Sequence, residues 1–216
     1  MVFKSSIVSK KMKSKKQPKS VLGKIWHFLW KENSFLSWII SLALAFIIVK
    51  FIFFPVLSLV LGTSLPLVVV ESGSMHHPGS FVGNAIGLQN NFEMWWNEQG
   101  SWYTGRGIYE SEAENWPLKT GLEMGDIVIV YGRGEIEVGD IIIFDADKQY
   151  PLIHRIVGIK TIDNETYYET KGDNNEGQLI NEKNVPENAV IGKAVMKIPK
   201  LGWIKLSFVK LLQAFS

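Results

Sequence analysis

The sequence predicts a mainly β fold, in which an antiparallel β-sheet domain follows one N-terminal transmembrane helix. Two observations predict it. From Phe35 to Gly62 the chain carries a single charge, Lys50, among 19 Ile, Leu, Val and Phe residues. Beyond residue 65, short runs rich in β-branched residues alternate with Gly, Asp, Asn and Pro, which is typical of antiparallel strands. The hydrophobic content of 46% fits one membrane segment joined to one globular domain.

Residues 1–34 are predicted to form a basic cytoplasmic arm. Nine lysines and one acid, Glu32, lie within residues 1–33, whereas the rest of the chain has a net charge of −6. Apolar and aromatic residues from Val21 to Trp30, with Lys24 and Lys31, indicate a short helix at the membrane interface. A lysine-rich arm can also bind nucleic acid, but the apolar segment that follows and the acidic remainder argue against that class of partner.

Residues 35–62 are predicted to be an uncleaved transmembrane anchor. Their apolar side chains favour insertion by roughly 6–11 kcal/mol, which outweighs the cost of about 3 kcal/mol for Lys50. The segment is too long and begins too deep in the chain for a removable signal peptide. Because lysine-rich flanks stay cytoplasmic, we expect a single-pass protein with the residues after about 62 on the exported side of the membrane.

Residues 63–203 are predicted to be an exported β-rich domain with an insert at residues 77–124. Two similar runs, Gly125-Asp126-Ile-Val-Ile-Val and Gly139-Asp140-Ile-Ile-Ile-Phe, each read as a turn followed by a buried strand, which is a structural role. The predicted strands are 66–71, 126–131, 140–145, 151–161, 165–171 and 189–197. There is no cysteine, so disulfides are excluded.

Three other features have more than one interpretation. The aromatic residues of the insert could anchor it at the membrane interface, line a binding groove or form a small core of their own. His76 and His77 could suggest a metal, but neighbours on an extended chain point apart and no partner ligands are evident, so no metal or cofactor is expected. The apolar segment 204–216 is too short to span a bilayer and either packs on the domain or lies at the membrane surface.

Ser72-Gly73-Ser74-Met75 is a candidate nucleophile turn at the end of the first predicted strand. One hydroxyl can attack while the other faces a developing oxyanion, and the glycine leaves room for a substrate backbone. His154 is the candidate base, since a strand would hold its ring rigidly. A hairpin between the fourth and fifth predicted strands would bring Asp173 near His154 as the orienting acid.

Four ordered motifs follow the apolar segment: S-G-S-M, the G-D-I pair, H-R-I-V-G at 154–158 and K-G-D-N-N at 171–175. Together they resemble the type I signal peptidase family, in the branch of archaea and the endoplasmic reticulum, which has histidine rather than lysine as base. The resemblance implies a membrane-apposed β-sheet domain of signal-peptidase type. It also implies Ser74 as nucleophile, His154 as general base and Ser72 as an accessory near the oxyanion hole.

The sequence departs from that family in two ways. About 48 residues separate the serine motif from the first G-D-I strand, and no aspartate follows G-D-N-N at the position usual for the acid. Asp173 is therefore the predicted acid, with Glu176 and Glu182 as alternatives. A Ser–Lys dyad using Lys171 or Lys160 is a further alternative, which would need a lysine whose pKa is depressed by burial.

The resulting prediction is a membrane-bound serine endopeptidase that removes signal peptides from exported preproteins after small side chains. Its expected partners are those preproteins, the lipid bilayer and the translocation machinery. It would reside in the cell membrane, or in the endoplasmic-reticulum membrane if the source is eukaryotic. Because Gly62 and Ser74 are 12 residues apart, the serine lies at most about 40 Å along the chain from the apolar segment. A membrane-tethered binding module that has lost catalysis is the alternative.

Overall fold

The computed structural model describes residues 20–21, 34–79 and 91–213. The chain divides into two units, Met1–Phe53 and Phe54–Ser216. In the first unit, helix α1 spans Phe35–Ile48 and continues into a π-helical turn, Val49–Phe53. The predicted interfacial helix of the basic arm lies almost entirely outside the described residues.

The apolar segment is helical over 27 residues, Phe35–Leu61, with a mean hydropathy of 2.7 in its most apolar stretch. Within the described chain no residue of that stretch is buried, unlike the core helix of a soluble domain. At about 1.5 Å per residue, the helix is long enough for a hydrocarbon layer of about 30 Å. Pro55 lacks the N–H that would bond four residues back, and the wider π turn directly before it accommodates the proline within a continuing helix, α2, Phe54–Leu61.

The second unit is built on one seven-stranded sheet whose neighbouring strands are all antiparallel, in the order β1-β2-β7-β3-β4-β5-β6. The antiparallel sheet and six of its strands were predicted; the two-residue β6 is too short to leave a sequence signal. The strands are β1 Leu67–Val69, β2 Ile127–Tyr131, β3 Ile141–Phe144, β4 Leu152–Ile162, β5 Glu165–Lys171, β6 Val185–Pro186 and β7 Val190–Ile198.

The repeated Gly-Asp pairs close two equivalent turns before β2 and β3. Each aspartate accepts the N–H of the residue three positions earlier: Asp126 from Glu123 at 2.9 Å and Asp140 from Glu137 at 3.1 Å. Gly139 precedes Asp140 with φ of +96°, and an added Cβ would lie 2.2 Å from the Trp116 ring. The pairs are thus structural, as the sequence indicates.

Strand β3 lies between two hydrophobic cores, and all four of its residues are completely buried. Ile141 and Ile143 join the core that holds Val70 and Met75, whereas Ile142 and Phe144 join a second core on the other face. Alternate side chains of a strand point to opposite faces, so the unbroken apolar run reflects a sheet covered on both sides.

The described part of the predicted insert, residues 77–79 and 91–124, contains helix α3, Asn91–Thr104, and a short helix α4, Glu110–Ala113. Its aromatic side chains form a buried cluster, which resolves the earlier ambiguity in favour of a core within the insert. The members of this aromatic core are Phe92, Trp95, Trp96, Tyr103, Ile108, Ala113, Trp116 and Val157 from strand β4. The chain then closes with helix α5, Trp203–Gln213, whose side chains are mostly exposed.

Candidate active site

Ser74 lies in the turn that follows strand β1. The turn is closed by the N–H of His76, which donates to the carbonyl of Gly73 at 3.1 Å. Met75, next in the chain, is buried in the core and its carbonyl accepts the N–H of Leu122 at 2.8 Å. An apolar side chain fixed in the core therefore holds the serine at a defined position on the surface of the sheet.

His154 reaches Ser74 from strand β4. It pairs with Ile142 in the centre of the sheet, and its ring packs edge-on against Phe144 at 6.5 Å between centroids. Its Nε2 lies 3.1 Å from Oγ of Ser74. Oγ of Ser72 is 3.2 Å from the same hydroxyl. The structure thus brings together the predicted nucleophile, base and accessory serine in the geometry required for proton transfer.

A carboxylate contacts the other ring nitrogen of His154, and it belongs to Glu182. Nδ1 of His154 and Oε1 of Glu182 are in close contact, and neither atom has a hydrogen-bond partner elsewhere among the described residues. The second carboxylate oxygen accepts the N–H of Leu179, which fixes the side chain on a 3₁₀ turn, Ile180–Glu182. Glu182 is completely buried, so water does not screen this contact.

Asp173, the predicted acid, does not contact His154. Its carboxylate accepts hydrogen bonds from Arg155 at 2.7 Å and from Nε2 of His77 at 2.8 Å, and all three side chains are completely buried. The physical reason is strand alternation: Arg155 follows His154 on β4, so it points to the opposite face and holds Asp173 there. The expectation that Asp173 lies beside His154 is therefore corrected.

The neighbouring Arg155 and His77 keep the buried carboxylate of Asp173 ionised. Burial by itself would raise the pKa of Asp173, but the Arg155 charge and the His77 hydrogen bond hold that pKa well below its ordinary value. Burial lowers the pKa of His77, an effect only partly offset by Asp173, so His77 is neutral and donates its Nε2–H. The pair Asp173–Arg155 is thus an ion pair inside the domain, with its hydrogen bonds satisfied.

The remaining candidate acid and bases lie elsewhere. Glu176 is exposed and has no hydrogen bond or ion pair with a described residue. Nζ of Lys171 donates to the carbonyl of Gly172 at 3.1 Å and lies 5.0 Å from the centre of the Tyr103 ring. Burial lowers the pKa of Lys171 to about 8, yet its contacts run toward the insert rather than to Ser74. Lys160 is bound to Glu169 at 2.9 Å.

A groove of about 700 Å³ opens at Ser74 and His154. One wall is formed by residues 67–71, which include strand β1, and the other by residues 148–153, which lead into β4. The lining is mostly apolar, and β1 is the outermost strand of the sheet. An outer strand has unpaired backbone groups, so an extended peptide can bind beside it through main-chain hydrogen bonds.

The two adjacent histidines, His76 and His77, point apart. Nδ1 of His76 binds Glu123 at 2.7 Å, whereas His77 binds Asp173 in the interior. Among residues 20–21, 34–79 and 91–213, no cluster of three or more His, Cys, Asp or Glu side chains could hold a metal ion.

Two site features were beyond the sequence reasoning. Glu182, nine residues after Asp173, is only an alternative acid in the sequence analysis, because no local pattern there points to the histidine. The buried role of His77 left no sequence signal, because its partners Asp173 and Trp95 are distant in the chain.

No protein-family model matches the chain. Over 98 residues it is 30% identical to signal peptidase complex catalytic subunit SEC11 of Zygosaccharomyces rouxii, which covers 41% of this chain and 59% of that relative. It is 28% identical over 98 residues to the same subunit of Colletotrichum graminicola and 25% identical over 97 residues to that of Yarrowia lipolytica. The chain spans 56–59% of the length of these relatives. The similarity confirms the resemblance to signal peptidases that the four motifs predict.

Proposed function

We propose that this chain is a membrane-anchored serine endopeptidase that cleaves signal peptides from exported preproteins. The observation that supports it best is the contact series from Ser74 through His154 to the buried Glu182. A hydroxyl, an imidazole and a carboxylate arranged in this order are the parts of a serine-hydrolase triad, whatever the fold. The similarity to signal peptidase catalytic subunits supports the substrate class.

In the proposed mechanism, neutral His154 accepts the proton of Ser74 through Nε2 as Oγ attacks the scissile carbonyl carbon. Glu182 binds Nδ1–H, which keeps Nε2 free to accept a proton and stabilises the imidazolium that forms. The imidazolium then donates its proton to the departing amine. Water, activated by the same imidazole, hydrolyses the acyl-enzyme and regenerates Ser74.

The oxyanion is expected next to the serine turn. The backbone N–H of Ser74 and the hydroxyl of Ser72 are the proposed donors, and Ser72 already lies 3.2 Å from the nucleophile. Donors that face the developing negative charge contribute about 10²–10³ in rate each. Ser72 would therefore act on the transition state more than on substrate binding.

The groove supports an extended peptide as substrate. Its apolar lining suits the uncharged, small side chains that precede a signal-peptide cleavage site, and strand β1 offers backbone groups to the substrate chain. No charged residue other than Glu71, Lys148 and Lys205 lines it among the described residues. Recognition would thus depend on backbone shape and small size rather than on charge.

The helix Phe35–Leu61 is proposed as the single anchor, with the basic arm in the cytoplasm and the sheet domain, with its insert 77–124, on the exported side. This topology holds the groove near the bilayer from which a translocating preprotein emerges. The translocation machinery is the corresponding proposed partner. The exposed apolar helix α5 is proposed to rest on the membrane surface.

The noncatalytic binding module was suggested by the absence of a downstream aspartate. Glu182 supplies a buried carboxylate at His154, so that reason no longer favours it. A Ser–Lys dyad is disfavoured for a similar reason, because the described contacts of Lys160 and Lys171 do not include Ser74.

The direct test incubates a signal-peptide-bearing preprotein with the detergent-solubilised full chain. We expect cleavage by the wild type and none by Ser74→Ala or His154→Ala. Cleavage that survives in Ser74→Ala would exclude the proposed nucleophile, and cleavage that survives in His154→Ala would exclude the proposed base. No cleavage by the wild type, in the presence of lipid, would count against the enzyme proposal.

A further inference from the structure

The turn Gly172–Asn175 holds the backbone of the candidate nucleophile. The N–H of Asn174 donates to the carbonyl of Ser74 at 2.8 Å, and its side-chain amide donates to the carbonyl of Gly73 at 3.1 Å. A Cβ added to Gly172 would lie 2.9 Å from the Ser74 carbonyl, so the two segments are in close contact. The position of Ser74 therefore depends on the position of this turn.

The insert in turn fixes the turn at Asp173. Nε1–H of Trp95 donates to the Asp173 carbonyl at 2.9 Å, and Nε2–H of His77 donates to its carboxylate at 2.8 Å. The two rings are stacked, with centroids 4.4 Å apart and planes 7° from parallel. Both rings are buried, so water does not compete for these two hydrogen bonds and the rings hold the turn firmly.

The same insert also holds the residue beside the candidate base. Arg155 donates to the carbonyl of Pro117 at 2.9 Å and to that of Leu118 at 3.3 Å, and its guanidinium lies 5.2 Å from the centre of the Trp116 ring. Because Arg155 follows His154 on strand β4, these contacts fix the strand at the base. Residues of the insert thus contact both the turn that holds Ser74 and the strand that carries His154.

We infer that the insert 77–124 is a positioning unit, in which Trp95 and His77 set the reactivity of Ser74 through the Asp173–Asn174 turn. No described residue of the insert lines the groove, so its effect is on the nucleophile and not on substrate binding. The expected effect on catalysis rests on the proposed function, whereas the expected effect of Trp95 and His77 on the position of the Asp173–Asn174 turn does not.

The test compares the same substitution at two neighbouring tryptophans of the aromatic core. Trp95→Phe keeps a stacked ring on His77 but removes the N–H that binds Asp173. Trp96→Phe, the matched control, alters a tryptophan that packs on Trp95 with centroids 5.8 Å apart but has no hydrogen bond to the turn. Both are made in the full chain in detergent, with thermal unfolding measured to establish that each is folded.

Two readouts are used. The first is the rate at which a serine-directed fluorophosphonate labels Ser74, followed by intact mass; Oγ displaces fluoride from phosphorus and its proton passes to His154. We expect Trp95→Phe to slow labelling about tenfold or more, because small displacements of a reacting atom are costly, and Trp96→Phe to change it less than about twofold. In preprotein cleavage, the loss should fall on kcat with KM unchanged.

The second readout is hydrogen exchange at the amide of Asn174, which we expect to be faster in Trp95→Phe than in Trp96→Phe. A conservative replacement, His77→Gln, keeps an N–H that can bind Asp173. The fluorophosphonate should therefore label Ser74 faster in His77→Gln than in His77→Leu. Equal labelling and equal exchange in the two tryptophan variants would overturn the inference, as would a loss confined to KM. If wild-type Ser74 does not react, the proposed nucleophile fails, and the exchange comparison by itself decides whether the insert holds the turn.

Discussion

Replacing Glu182 by glutamine tests the carboxylate that contacts His154. The change keeps the shape of the side chain, and the remaining amide oxygen can still accept the N–H of Leu179, so the 3₁₀ turn should persist. The charge beside Nδ1 of His154 is removed. The expected outcome is a folded protein with a thermal midpoint within a few degrees of the wild type, about the shift expected for less than 1 kcal/mol.

The expected loss of activity is large because the contact between Glu182 and His154 is shielded from water. Both side chains of the pair are at most 4% exposed, so solvent cannot replace the lost charge. The glutamine amide would also donate to Nδ1, which places the remaining ring proton on Nε2, 3.1 Å from Ser74 Oγ, where a base must be unprotonated. In a serine protease the equivalent change lowers kcat about 10⁴-fold, and we expect about 10³–10⁴ here, or about 4–5 kcal/mol.

The assay is cleavage of a preprotein by the detergent-solubilised full chain, with kcat and KM measured separately. Because Glu182 does not line the groove, KM should stay near the wild-type value. Glu176→Gln is the matched control: the same substitution at an exposed alternative acid should leave kcat within about twofold. A Glu182→Gln enzyme that retains more than about a third of wild-type kcat would refute the triad reasoning.

Three further outcomes follow from the same contacts. Asp173→Asn should lower the free energy of unfolding by about 3–5 kcal/mol in urea denaturation, because it leaves Arg155 buried without its counter-charge; a loss below about 1 kcal/mol, typical of a surface pair, would contradict this. Lys171 has a pKa of about 8 when folded against 10.5 when unfolded, so the unfolded chain binds more protons between these values. Stability should therefore rise with pH across that window, by at most about 3 kcal/mol, and Lys171→Met should remove this rise in parallel pH-dependent denaturation. Ser72→Ala should lower kcat about 10²-fold with little change in KM, and an unchanged kcat would exclude Ser72 as an oxyanion donor.

The sheet was predictable because each strand leaves a local signal. β-branched runs bounded by Gly and Asp identify β2 and β3, and the long run around His154 identifies β4. The approach of His154 to Ser74 was also within reach, since strands present side chains rigidly and few histidines are available. Local pattern and tertiary structure agree at these positions.

The sequence does not identify the acid in the same way, because the identity of the acid depends on which face of β4 His154 and Arg155 each occupy. His154 and Arg155 are adjacent, and one residue decides whether Asp173 or Glu182 meets the base. The 3₁₀ turn that presents Glu182 is only three residues long and has no periodicity to detect. The role of the insert was hidden for another reason: its polar contacts join residues far apart in sequence.

The position of β3 has a consequence for how the domain unfolds. Ile141 and Ile143 belong to one core, while Ile142 and Phe144 belong to the other. If either core unfolds, strand β3 is displaced, and the other core loses its packing as well. The two hydrophobic cores on either face of β3 should thus unfold in a single cooperative transition rather than one after the other. A partly unfolded form that keeps the groove but has lost the opposite core would not be populated.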